Sequence, residues 1–162
     1  MAETSVDVIK RYLQDAIAAE KTFEMQLQEF AKESGNEAAK SAFHERALQT
    51  RNQHERLTTR LEALDSSRSA TNNLITNIVG HRLKPAHVVH EKEQLTVQKL
   101  MIVYAVESSA VAMYEMIAAL AEAAGDSDTE ALARSIQTEE KETAEKIWSL
   151  LSVLIPSGTI AT

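Results

Sequence analysis

The chain has 162 residues, of which 44% are hydrophobic and only 4% aromatic, and its formal net charge is −7. This length and composition are typical of one domain with its own core. Scarce glycine (4) and proline (2) favour helices over a β-rich fold, and the lack of cysteine excludes disulfides, thiolate metal sites and cysteine nucleophiles. The acidic balance argues against nucleic acid and anionic membranes as partners.

Two long helical segments with a short break between them begin the chain. The first helix is expected from Ser5 to Lys32, with Gly35 as its left-handed terminator. Asn36 is a good N-cap for a second helix, which is expected to run to about Leu64. Helices joined by so few residues must lie antiparallel.

The connection that follows is the least regular part of the sequence. Residues 65–72 are polar and predict a loop, whereas residues 74–80 favour a short extra helix. The third helix begins either at Pro85 or near Glu91, and the sequence leaves these alternatives open. Its end is predicted at Gly125.

Ser127 and Glu130 predict a capping box for a fourth helix that runs to about Leu154. Residues 155–162 are expected to form a flexible tail. Two antiparallel helix pairs with a long connection predict a single all-α domain over residues 1–162. Its architecture would be an antiparallel four-helix bundle with one crossover, as in ferritin-like folds.

Each long helix carries one ionisable residue on its apolar stripe, at the three- and four-residue spacing of a single helix face. These residues are Glu20, His54, Glu107 and Glu140. A carboxylate inside an apolar core is costly unless a cation or hydrogen-bond donors meet it. Because di-metal carboxylate bundles take an inward ligand from each of four helices, the pattern predicts a metal site for iron or manganese.

The four candidate ligands do not carry equal weight. The helix around Glu107 is apolar nearly all round, so this carboxylate needs a partner. Glu140 fits its stripe better than Glu139, which is expected to face outward or lie at a seam. A lone histidine on an apolar face is more often a core residue than a ligand, so His54 is the weakest candidate. Tyr104 and Tyr114 could bond the buried carboxylates, but the favoured interpretation is that they are core aromatics with a hydroxyl at the edge.

Short motifs in both halves of the chain resemble the YciE/YciF family of ferritin-like proteins. They are DAIAAEK at 15–21, QHERL at 53–57, LAEAAG at 120–125 and TEEK at 138–141. The resemblance covers almost the whole chain and is poor over residues 71–95. It implies a ferritin-like bundle, often dimeric and linked to bacterial stress responses, with a di-metal carboxylate site and no assigned reaction.

The chain keeps only part of the ligand pattern that this resemblance implies. The three glutamates match family carboxylates, but Arg46 stands where a histidine is usual. Ala110 and Ala144 stand where the pattern has a glutamate and an aspartate, and His54 takes a position that is usually apolar. About half of the six ligands of a dinuclear site is therefore missing.

Two hypotheses of different classes follow, and they leave open whether the protein is an enzyme. In one, a metal-binding oxidoreductase-type protein holds iron or manganese and acts on oxygen or peroxide. In the other, which we favour, a non-catalytic structural or interaction protein uses Arg46 to neutralise the buried carboxylates, since one guanidinium can pair with more than one acid.

The sequence also predicts a location and a set of partners. The N-terminus lacks a basic region followed by an apolar run, and no apolar stretch reaches the length of a membrane span. A cytoplasmic homodimer without nucleic acid or membrane partners is the expectation.

Overall fold

The computed structural model of the chain describes residues 4–65 and 92–158, and all regular structure in these ranges is α-helical. The helices are α1 (Ser5–Glu33), α2 (Glu37–Asp65), α3 (Lys92–Ala124) and α4 (Ser127–Gly158). The predicted all-α class is therefore confirmed for this part of the chain. The predicted short helix at 74–80 and both alternative starts of the third helix lie outside the described residues.

The turn between α1 and α2 matches the prediction at one end only. The Asn36 side chain accepts a hydrogen bond from the backbone N–H of Ala39 at 2.9 Å, which confirms it as the N-cap of α2. Gly35 is not left-handed, so that prediction is wrong. The reason is that α1 ends at an extended Ser34, whose N–H donates to the carbonyl of Phe30, and no positive φ is needed.

The turn between α3 and α4 does contain a left-handed glycine, since Gly125 has a φ of 72° as expected. The cap of α4 is Asp126, whose carboxylate accepts from the backbone N–H of Thr129 at 3.0 Å. The predicted capping box of Ser127 and Glu130 is therefore wrong by one residue. Asp126 takes the capping role because its carboxylate also pairs with an arginine of α2.

The far end of α4 extends beyond its predicted limit. The helix continues past Leu154 through Pro156 to Gly158. A proline this close to a helix end removes one backbone hydrogen bond without ending the helix. The remainder of the predicted tail, residues 159–162, lies outside the described residues.

The four helices form two pairs. α1 lies along α2 and α3 along α4, while α1–α3 and α2–α4 contacts join the pairs. An ion pair of 2.9 Å between Lys10 and Asp65 joins the start of α1 to the end of α2, so these helices run in opposite directions. Apolar side chains form one core cluster towards each end of the pairs. Glu20, Glu107 and Glu140 are buried at sequence positions between those of the two clusters.

α3 has an unusually apolar composition. The segment Gln94–Ala124 is long and apolar enough to cross a membrane, judged by length and composition alone. This corrects the expectation that no stretch reaches that length, because mean hydropathy tolerates the few charges that interrupt the segment. Two of them, Lys99 and Glu107, are buried. Only 28% of the most apolar window is buried, so much of its uncharged surface is exposed.

The two turn glycines give a matched pair for testing these helix ends. Gly125→Ala should lower the free energy of unfolding by about 1 kcal/mol, because a side chain is strained at positive φ. Gly35→Ala should be neutral or stabilising, since its φ is ordinary and no atom lies within 4 Å of the added Cβ. Urea denaturation of both variants measures the difference, and equal effects would contradict the assigned turn geometry.

Candidate functional site

A guanidinium lies between two carboxylates at the centre of the bundle. Arg46 of α2 is only 2% exposed. Its Nε donates to Oε1 of Glu107 on α3 at 2.6 Å. Its Nη2 donates to both oxygens of Glu140 on α4, at 2.7 and 2.8 Å. All three nitrogens of the side chain are bonded, because Nη1 donates to Oε1 of Gln53 at 3.0 Å.

Gln53 connects this central pair to the seam between α2 and α4. Its amide Nε2 donates to Glu140 at 2.8 Å and to Glu139 at 2.9 Å. Glu139 also accepts from Arg56 at 2.7 Å, which places it at the seam, one of the two positions expected for it. The buried cluster is thus linked by hydrogen bonds to a partly exposed ion pair.

Glu20 reaches the cluster from α1 and is 3% exposed. The Tyr114 hydroxyl donates to its Oε1 at 2.6 Å. Tyr114 is itself fully buried, so the favoured expectation of a hydroxyl at the edge of the core is wrong, and the alternative of a bond to a buried carboxylate is confirmed for Tyr114. Burial and the charge of Glu140 raise the pKa of Glu20 to about 7, although Arg46 and the tyrosine bond act to lower it.

Glu107 is a second acid of the cluster whose pKa is raised. Burial and a hydrogen bond with Glu140 raise its pKa well above the ordinary value. Its Oε2 is buried without a hydrogen-bond partner. A proton on Glu107 would remove the cost of burying its charge. It would also give the neutral carboxyl a hydrogen to donate to Glu140. Burial alone would lower the pKa of Arg46, but the surrounding glutamates raise it, so the guanidinium stays charged.

His54, the fourth predicted ligand, lies in a separate network. Its Nε2 is 3.1 Å from Oε2 of Glu24 on α1. Arg51 donates to the other oxygen of Glu24 at 2.6 and 2.8 Å. Burial would raise the pKa of Glu24, but the hydrogen bonds from Arg51 and His54 lower it. The structure therefore brings together three of the four predicted residues, all of them glutamates.

The geometry can now be set beside known proteins. A family model described as a domain of unknown function, DUF892, matches residues 5–159. The chain belongs to the DUF892 family. No curated protein matches this DUF892 chain.

Solved structures support the same assignment at the level of fold. The Escherichia coli stress protein YciF superposes with a TM-score of 0.82 at 24% identity, covering 96% of this chain and 99% of that chain. YcfI of Rhodopseudomonas palustris, proposed to be a structural protein, gives 0.75 at 23% identity, covering 89% and 92%. An Anabaena variabilis protein containing a ferritin-like domain gives 0.72 at 16% identity, covering 98% and 40%. The YciF-like family predicted from the sequence is confirmed.

The residues of this DUF892 chain do not fit a dinuclear metal group. Arg46 nitrogens bond one carboxylate oxygen of Glu107 and both carboxylate oxygens of Glu140, which a metal would need as ligands. Ala110 and Ala144 offer methyl groups where the family pattern implies carboxylates. Within the described ranges, no group of three or more His, Asp or Glu side chains is placed to hold a metal ion. The metal-site prediction stays a prediction, and the contacts seen are those of an ion-pair cluster.

The sequence reasoning missed the role of Gln53. A detectable signal was present, because Arg46, Thr50 and Gln53 form a polar row at i, i+4 and i+7 on the inward face of α2. Thr50 completes this row, but its hydroxyl is buried without a hydrogen-bond partner. Such a row of donors facing the carboxylates of other helices is a pattern typical of a polar network rather than of a single ligand.

Replacing the central cation tests the cluster. Arg46→Met should lower the free energy of unfolding by about 3–5 kcal/mol near pH 7.5, because Glu107 and Glu140 would stay buried without a cation. The control is Arg51→Met, whose side chain is 50% exposed and should cost less than about 1 kcal/mol. Urea denaturation compares them, and an Arg46→Met variant as stable as the parent would contradict the role assigned to Arg46.

The raised pKa of Glu20 predicts a specific pH dependence. Its folded pKa of about 7 exceeds the value of 4.5 for a free side chain, so between these values the folded state holds more protons than the unfolded state. Stability should therefore fall as pH rises from about 5 to about 7.5, by on the order of 3 kcal/mol. Glu20→Gln, which can still accept from Tyr114, should flatten the profile, whereas an unchanged slope would contradict the assignment.

Proposed function

We propose that this protein is a non-catalytic, stress-associated structural protein with a ferritin-like bundle, in which Arg46 supplies the positive charge that a metal supplies in di-metal bundles. In the proposed topology, an α1–α2 hairpin and an α3–α4 hairpin are joined by one long crossover. The proposal includes a cytoplasmic location and independence from any resident cofactor.

The observation that carries the proposal is the set of bonds made by Arg46. Four charge-assisted or polar hydrogen bonds of 2.6–3.0 Å fix its guanidinium on Glu107, Glu140 and Gln53. A guanidinium has no open coordination position and no accessible redox state. Oxygen or peroxide chemistry at this place would need Arg46 to move away. Glu107 and Glu140 would then remain buried without a cation, which is costly.

The surroundings of the cluster support a static role. The acids have donors close by, since Tyr114 bonds Glu20 and Gln53 bonds Glu140. Phe23 covers the guanidinium, with its ring centroid 5.8 Å from Cζ of Arg46. The stress connection rests on the description of the E. coli structural neighbour as a stress protein, and the structural role agrees with the one proposed for the R. palustris neighbour.

Metal titration tests the proposal against the oxidoreductase alternative. The full chain is refolded with and without excess Fe(II) or Mn(II), and bound metal and melting temperature are measured together. We expect well under one metal per chain and no shift in melting temperature, because a ligand that binds the folded state would raise it. Neither sample should consume peroxide.

The matched variant for this titration is Glu107→Gln, which keeps the volume of the side chain and removes its charge. Stoichiometric metal in the parent that is lost in Glu107→Gln would contradict the metal-free proposal and support a metal-dependent function. Metal that persists unchanged in Glu107→Gln lies elsewhere on the chain and leaves the cluster metal-free, as proposed.

A further inference from the structure

An open groove between α3 and α4 lies apart from the ion-pair cluster. Its volume is about 450 Å³, which is within the range of pockets that hold small molecules. The lining side chains are Tyr104 of α3 and, on α4, Ala144, Glu145, Trp148 and Ser149. The groove therefore combines two aromatic rings, one carboxylate and two small side chains that leave room between them.

The two aromatic rings of the groove support each other. Tyr104 and Trp148 are in contact, with centroids 5.3 Å apart and ring planes tilted by 44°. The Tyr104 side chain also packs against the core cluster that contains Val103 and Ile147, whereas Trp148 is 58% exposed. The core thus holds the tyrosine, and the tyrosine positions the exposed indole. An indole face is the aromatic surface that attracts cations most strongly.

The carboxylate of the groove has no cation of its own. Glu145 is exposed, and no ion pair joins it to any side chain of the described ranges, including Lys141 one turn earlier on α4. The next residue, Lys146, pairs instead with Glu45 of α2 at 3.5 Å. A negative charge beside two electron-rich ring faces makes the groove complementary to a cation. The net charge of −7 favours the same kind of ligand.

We propose that this groove binds a small quaternary ammonium compound of the choline type. A trimethylammonium group carries a positive charge on an apolar surface of methyl groups, so it gains from contact with an aromatic ring and from a nearby carboxylate at once. A primary ammonium is strongly hydrated and gains less from leaving water. The proposal goes beyond the structural role and does not depend on the metal question.

Ser149 fits the hydroxyl group that choline carries. Its own hydroxyl donates to the backbone carbonyl of Glu145 at 2.9 Å. The serine oxygen can still accept a hydrogen bond, because a hydroxyl has two acceptor positions. A ligand with a carboxylate in place of that hydroxyl, such as glycine betaine, would be repelled by Glu145 and should bind more weakly.

Fluorescence gives the first test, since the chain contains a single tryptophan and its emission reports on the groove directly. Choline chloride added to the full chain should change the emission saturably, and sodium chloride at the same ionic strength should not. The neutral isostere of choline, in which a tert-butyl group replaces trimethylammonium, should bind at least about fivefold more weakly, because it keeps the shape and loses the charge.

The role of the carboxylate is tested with two matched variants that both keep Trp148. Glu145→Gln should weaken choline binding at least about fivefold, because the charge is lost and the size is kept. The control is Glu142→Gln, which removes an exposed carboxylate of α4 that does not line the groove and should leave binding unchanged. Circular dichroism checks that both variants fold.

The role of the indole needs a readout that does not use tryptophan emission. Saturation transfer to the choline methyl protons is therefore measured by NMR in Trp148→Leu and Trp148→Phe. The leucine variant should lose the transfer, and the phenylalanine variant should keep part of it, because a smaller ring still offers a π face. Both should fold, since the side chain is mostly exposed.

Three results would overturn the proposal. They are a parent chain that shows no saturable response to choline, an equal response to the neutral isostere, and binding that Glu145→Gln leaves unchanged. Sedimentation with phosphatidylcholine vesicles distinguishes a free solute from a lipid headgroup as the source of the ligand. A chain that sediments with these vesicles but does not bind free choline would assign the groove to a membrane surface and contradict the proposal.

Discussion

One buried arginine and the acids around it constrain the rest of the structure. Arg46 comes from α2, and it meets Glu107 from α3 and Glu140 from α4, while Glu20 of α1 contributes to the same electrostatic environment. An ion pair of this kind contributes little net stability compared with an apolar core, but removing one partner is costly. The cluster therefore acts mainly by selecting one register of the helices, since a slip would separate a charge from its partner.

In the proposed metal-free site, a guanidinium in place of metal also accounts for the neighbouring residues. A single cation cannot neutralise as many carboxylates as two metal ions can, and alanines stand at 110 and 144 where further acids would otherwise be expected. Burial raises the pKa of both Glu20 and Glu107, which favours their neutral forms and reduces the excess negative charge. Gln53 supplies uncharged donors and an acceptor to the same cluster.

The helices and the inward glutamates could be predicted from the sequence because periodicity, capping residues and turn glycines act locally. The spacing around Glu107 identified it as buried, and Asn36 and Gly125 marked helix ends that the structure confirms. The contact between His54 and Glu24 could not be predicted from the sequence, because it depends on how α1 and α2 pack against each other. The one-residue shift of the α4 cap to Asp126 likewise depends on a contact with another helix.

The metal-free proposal requires that Arg46, not a metal ion, lies between Glu107 and Glu140 when metal is abundant. A crystal structure of the protein grown with excess Mn(II), with anomalous data collected at the manganese edge, observes this directly. The account predicts no anomalous peak in the bundle centre and the Arg46 guanidinium within hydrogen-bond distance of both carboxylates. A manganese peak bound by the glutamates, with Arg46 turned away, would contradict it.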